Sequence, residues 1–140
     1  MPGKSKPYPG TEDALHRLKA AGFTLAVCTN KRMPLTMPLL QSLGLADHFA
    51  VITGGDSFEF RKPDPRHILG TIDQAGGKPE NAVMVGDSSN DIDSANGAGT
   101  ASIAVTFGYA DRAVETLGAS RTIAHYDELT AELIEALLGR

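Results

Sequence analysis

Two hydrophobic rhythms alternate along the chain. Residues 11–21 open with acids, place Leu15 and Leu18 on one face and stop at Gly22, which predicts a helix; Phe23-Thr24-Leu25-Ala26-Val27-Cys28 then reads as a buried strand. The pair recurs. Pro34 suits the first turn of a helix that carries Leu35, Leu39, Leu40 and Leu43 to a stop at Gly44, and residues 50–53 form the next strand. A third helix has Asp64 as N-cap, Pro65 in first position, Ile68, Leu69 and Ile72 inward and Gly76 at its end, followed by a strand over residues 82–85. A short helix over residues 90–98 stops at Gly99, a fourth strand spans residues 101–105 and Ile123 belongs to a fifth. Asp127 is expected to cap a last amphipathic helix reaching Leu138.

Such alternation predicts an α/β fold: a three-layer, Rossmann-like parallel sheet with helices on both faces and right-handed crossovers. The length of 140 residues suits one domain over residues 1–140, with residues 1–10 as a polar lead-in. Folds of this kind bind ligands outside the carboxyl ends of their strands. The residues just after each strand are therefore the ones that matter.

Composition narrows the partners. A net charge of −4, from 13 basic and 17 acidic residues without long like-charge runs, gives no footprint for nucleic acid. No apolar run approaches membrane-spanning length, so a soluble, cytoplasmic protein without a membrane partner is expected. The one cysteine, Cys28, lies in an apolar stretch and reads as a small core residue rather than a nucleophile. His16, His48, His67 and His125 lack metal-ligand spacing and are expected in surface or core roles.

Behind the first strand stands Thr29-Asn30-Lys31. Behind the second, Gly54-Gly55-Asp56 leads to Arg61-Lys62-Pro63-Asp64-Pro65, and behind the third come Gly86-Asp87 and Asp91. A hydroxyl, a cation and a carboxylate pair on one rim suit phosphoryl chemistry, with the carboxylates holding a hard metal such as Mg2+. Each residue also has a plainer reading: Thr29 as a turn cap, Lys62 as a solvated lysine, Asp87 as a helix cap, Gly54-Gly55-Asp56 as a simple turn. Other assignments of the acids fail on spacing. An EF-hand loop begun at Asp87 would need Gly and Glu where Ile92 and Ala98 stand, and Gly97-Ala98-Gly99 lies behind a helix rather than a strand. A receiver domain carries its acids first and its lysine last, the reverse of the order here. Asp93 points elsewhere on its helix than Asp87 and Asp91 and reads as favouring the positive helix end.

Thr29-Asn30, Lys62-Pro63-Asp64-Pro65 and Gly86-Asp87-Ser88-Ser89-Asn90-Asp91 resemble motifs two, three and four of the haloacid dehalogenase superfamily of phosphohydrolases. Within it, Lys6-Pro7-Tyr8-Pro9-Gly10, Ala26-Val27-Cys28-Thr29-Asn30-Lys31 and Thr106-Phe107-Gly108-Tyr109 are most similar to the bacterial phosphoglycolate phosphatases. The resemblance implies that Thr29 and Asn30 bind the phosphoryl group, that Lys62 neutralises its charge, and that Asp87 and Asp91 hold Mg2+. It also implies a small phosphorylated substrate such as 2-phosphoglycolate and an aspartyl-phosphate intermediate.

One departure is large. The family's first motif, an apolar strand ending in DxD that supplies the nucleophile, is missing; Asp91-Ile92-Asp93 imitates its spacing without a preceding strand. Its strand would be central, between those bearing motifs two and four, and the helical cap that normally selects the leaving group is missing as well. The chain alone is thus expected to be inactive. It is completed by an N-terminal segment, or serves as a non-catalytic core that binds a partner or phosphate ligand, or exchanges strands in a homodimer.

Overall fold

A computed structural model describes residues 9–107 and 113–140. Parts of the sequence motifs at Lys6-Pro7-Tyr8 and Gly108-Tyr109 lie outside the described residues. Helices and strands alternate in the expected order: α1 (Thr11–Ala20), β1 (Ala26–Cys28), α2 (Met33–Ser42), β2 (Val51–Thr53), α3 (Pro65–Gln74), β3 (Val83–Gly86), α4 (Ser89–Ala98), β4 (Ala101–Val105), β5 (Arg121–Ile123) and α5 (Ala131–Leu137). All strand pairs are parallel. Among the described residues no helix is long and apolar enough to cross a membrane.

The strands form two sheets. β1 pairs with β2, and β3-β4-β5 make the second, with no ladder between β1 and β3 among the described residues. That division governs burial. Central β4 buries Ser102, Ile103, Ala104 and Val105, whereas all four residues of β3 stay half-buried. The main core gathers Ile103, Val105 and Ile123 of the larger sheet with Ala14 and Leu18 of α1 and Ile134 of α5, and Ile92 of α4 packs on Ala104 from another side. Burial of isoleucines as complete as Ile92 and Ile103 contributes about 1.5–3 kcal/mol each.

Local chemistry explains the helix ends. Asp64 accepts the Arg66 backbone N–H at 2.9 Å as N-cap of α3, with Pro65 next, as expected. Arg66 also donates to both Asp64 oxygens and holds that carboxyl down to about 2. Gly99 adopts φ 70° to end α4.

Three expectations are corrected. The expected buried strand over residues 23–28 is a ladder over Ala26–Cys28 with none of its residues buried, because it has a partner on one side alone; Leu25 still accepts the Ala50 N–H at 2.8 Å, and Phe23 and Leu25 pack against the core. Leu35 is 62% exposed, and Thr36 takes the inward position instead. Asp127 does not cap the last helix: it lies in the 3-10 turn Tyr126–Glu128, capped by His125, and Thr130 caps α5 by accepting the Leu133 N–H.

A polar network lies between β2 and α3. The Thr53 hydroxyl meets that of Thr71 at 2.7 Å and His67 Nε2 at 3.2 Å, and His67 is fully buried. Burial, then the nearby Lys62 charge, lowers the His67 pKa. The unfolded chain therefore takes up a proton that the folded one refuses. Stability is complete above the unfolded value near 6.5 and falls as pH drops below it. Urea unfolding between about pH 7 and 5 is expected to show a shallower loss of stability for His67→Gln than for the wild type.

Candidate active site

The sequence places its polar residues at the strand ends, and the fold brings them to one pocket. Thr29 follows β1, Lys62 precedes α3, Asp87 follows β3 and Asp91 sits in the first turn of α4. All four line a cavity of about 250 Å³, with Cys28, Met84, Val85, Gly86, Val105 and Tyr126. The same four line an adjoining cleft with Asn30, Lys31, Ser88 and Asn90.

At the centre is a buried ion pair. Lys62 donates to Asp91 Oδ1, and the two side chains are only 7% and 11% exposed. Its ammonium also donates to the Cys28 carbonyl at 2.8 Å, at the end of β1. The other oxygen of Asp91 accepts the Asp87 backbone N–H at 3.1 Å and the Ser88 hydroxyl at 3.4 Å. One carboxylate thus fixes both the lysine and the turn that carries Asp87.

Asn30 locks the lysine from the other side. Its amide accepts the Lys62 N–H at 3.0 Å and donates to the Lys62 carbonyl at 2.8 Å, so Asn30 touches the lysine's backbone rather than facing the cavity alone. Thr29 Oγ1 accepts the Lys31 N–H at 3.1 Å, a tight turn that leaves the hydroxyl proton available to a ligand.

Two further features escaped sequence reasoning. A Cβ at Gly86 would lie 2.3 Å from Asp91 Oδ2, so only glycine lets Asp91 fold back onto the end of β3. A Cβ at Gly55 would lie 2.1 Å from the Asn30 carbonyl; this loop is a close backbone contact rather than a plain turn. Asp56 then accepts the Met33 N–H at 2.8 Å and satisfies an orphan donor of α2. The Gly-Asp and Gly-Gly pairs were the legible signal for both.

The alternative roles resolve with the geometry. Ser88, not Asp87, occupies the N-cap of α4, and Asp93 is exposed on that helix, away from the pocket. Cys28 is half-buried beside Lys62. Its thiol pKa is raised by burial, a shift that hydrogen bonding with Thr71 and the Lys62 charge only moderate. The donors offered by Asp87 and Asp91 are carboxylate oxygens, a set that fits a hard divalent cation.

The haloacid dehalogenase-like hydrolase family matches residues 3–105, and the chain belongs to that family. It is 52% identical over 138 residues to a phosphoglycolate phosphatase of Mesorhizobium japonicum, covering 99% of this chain and 61% of the relative. With a phosphoglycolate phosphatase of Agrobacterium fabrum it shares 53% identity over 140 residues, all of this chain and 60% of the relative. The chain thus spans about three fifths of these curated relatives' length. Among solved structures, a predicted phosphoglycolate phosphatase from Haemophilus somnus aligns with a TM-score of 0.83 at 32% identity, over 87% of this chain and 55% of the other. CbbY from Rhodobacter sphaeroides, in complex with phosphate, aligns at 0.79 and 31% identity, over 89% and 56%.

The ion pair generates a stability prediction. Removing Asp91 alone leaves a buried ammonium without its counter-charge, so Asp91→Ala is expected to lose about 3–5 kcal/mol in chemical denaturation. Lys62→Met combined with Asp91→Leu is expected to recover most of that loss. Additive losses in the double variant would contradict a paired role.

Proposed function

We propose that this chain is the phosphate-binding core of a Mg2+-dependent phosphomonoesterase of the phosphoglycolate phosphatase type. The observation that carries this reading is the convergence of Thr29, Lys62, Asp87 and Asp91 on one pocket, with Lys62 held against Asp91. The relatives' names support 2-phosphoglycolate as the substrate.

In this reading the Thr29 hydroxyl donates to a phosphoryl oxygen, and Lys62 attracts the negative charge that shifts between oxygens during transfer. Asn30 acts on the lysine's backbone, keeping its ammonium at the end of β1. Asp87 holds Mg2+, and Asp91 supports it by fixing the Asp87 turn. When bound, the metal offsets charge on the phosphoryl group. The nucleophilic aspartate comes from a further segment in the complete enzyme, because no strand among the described residues ends in DxD.

The chain alone is accordingly expected to release no phosphate from 2-phosphoglycolate above an Asp87→Asn control. Joined to the part of the Mesorhizobium relative that it does not cover, it is expected to gain Mg2+-dependent activity, reduced about 100-fold or more by Lys62→Met. Activity in the unjoined chain that Asp87→Asn abolishes would refute the division of labour. A joined protein that folds and binds Mg2+ yet leaves 2-phosphoglycolate intact would refute the substrate.

The split between the sheets favours a second reading, in which the open edges of β1 and β3 are completed by another copy. Light scattering of the chain alone would then give a mass that rises with concentration toward a dimer. A constant monomer mass would dismiss it.

A further inference from the structure

Away from the pocket, we propose that Glu12, His16 and His48 form a binding site for a divalent transition metal of the Zn2+ class. The site would clip α1 to the turn that leads into β2. Glu12 and His16 are four residues apart on α1, a spacing that puts both on one face. His48 comes from the 3-10 turn Ala46–His48, which packs against that helix.

One ligand atom from each of the three lies within 4.8 Å of the others. His48 Nε2 stands 3.4 Å from Glu12 Oε2, and the two imidazoles meet edge to face at 4.8 Å. The side chains differ usefully in exposure. His48 is 10% exposed and held in place, while Glu12, at 56%, can close onto an ion and leave room for water as a fourth ligand. His48 Nε2, the ring nitrogen that faces Glu12, is the atom directed at this cluster.

Donor chemistry separates this site from the pocket. Two imidazole nitrogens and one carboxylate suit Zn2+ and its neighbours, whereas Asp87 and Asp91 offer only oxygen, which suits Mg2+. The proposal gives His16 and His48 a role beyond the surface or core places expected of the four histidines. No local spacing could show it, because Glu12 and His48 are 36 residues apart.

Calorimetric titration of the 140-residue chain with Zn2+, in excess Mg2+, tests the site directly. One equivalent is expected to bind, equally in wild type and Asp87→Asn, with affinity falling about tenfold or more in His16→Ala and in Glu12→Gln. Both substitutions replace exposed side chains, and zinc-free circular dichroism checks that the fold is kept. Histidine ring resonances of His16 and His48 are expected to shift together on Zn2+ addition, and the zinc-dependent rise in thermal midpoint to vanish in His16→Ala. Absence of binding, unchanged affinity in His16→Ala, or shifts centred on His125 instead would overturn the proposal.

Discussion

An ammonium group almost cut off from water must find a counter-charge, and Lys62 finds it across the division between the two sheets. It departs from the turn before α3, on the side of β1 and β2, and ends on Asp91 of α4, on the side of β3. Its second bond, to the Cys28 carbonyl, fastens the end of β1 to the same point. Since no backbone ladder joins β1 to β3 among the described residues, side chains hold the halves together: this pair, the packing of α3 on α4, and Phe23 and Leu25 against the main core. Gly97 serves that packing, for a Cβ there would press within 3.2 Å of the Pro65 ring.

The same linkage orders the site. Asp91 can reach Lys62 only because Gly86 carries no side chain, and once there its other oxygen draws in the backbone of Asp87. Asn30 brings the loop after β1 into register with the lysine through a two-point contact. Strand ends, cation and carboxylates are thus positioned by one chain of dependencies rather than independently.

Much of this was legible because its causes are local. Asp64-Pro65 and Gly99 mark helix ends through backbone rules that act within one turn, and both stand where expected. The site residues were legible because parallel folds collect post-strand loops on one rim. What escaped depends on distant partners. Leu35 fits the helical stripe, yet faces solvent because nothing in the described fold covers that side of α2. Asp127 has the chemistry of a cap, but the chain turns once more before α5 and gives that place to Thr130. His67 looked like any helix histidine, and only the approach of Thr53 from β2 makes it a buried polar hub.

The burial of Cys28 has a consequence for the durability of the pocket. Thiols react with oxidants and alkylating agents as thiolates, and a thiol whose ionisation is suppressed by burial stays in its inert form at neutral pH. The neighbouring lysine pulls the other way, but its charge only moderates the effect of burial, and the Asp91 carboxylate works against it. A sulfur atom can therefore line this pocket and remain a protonated thiol at neutral pH.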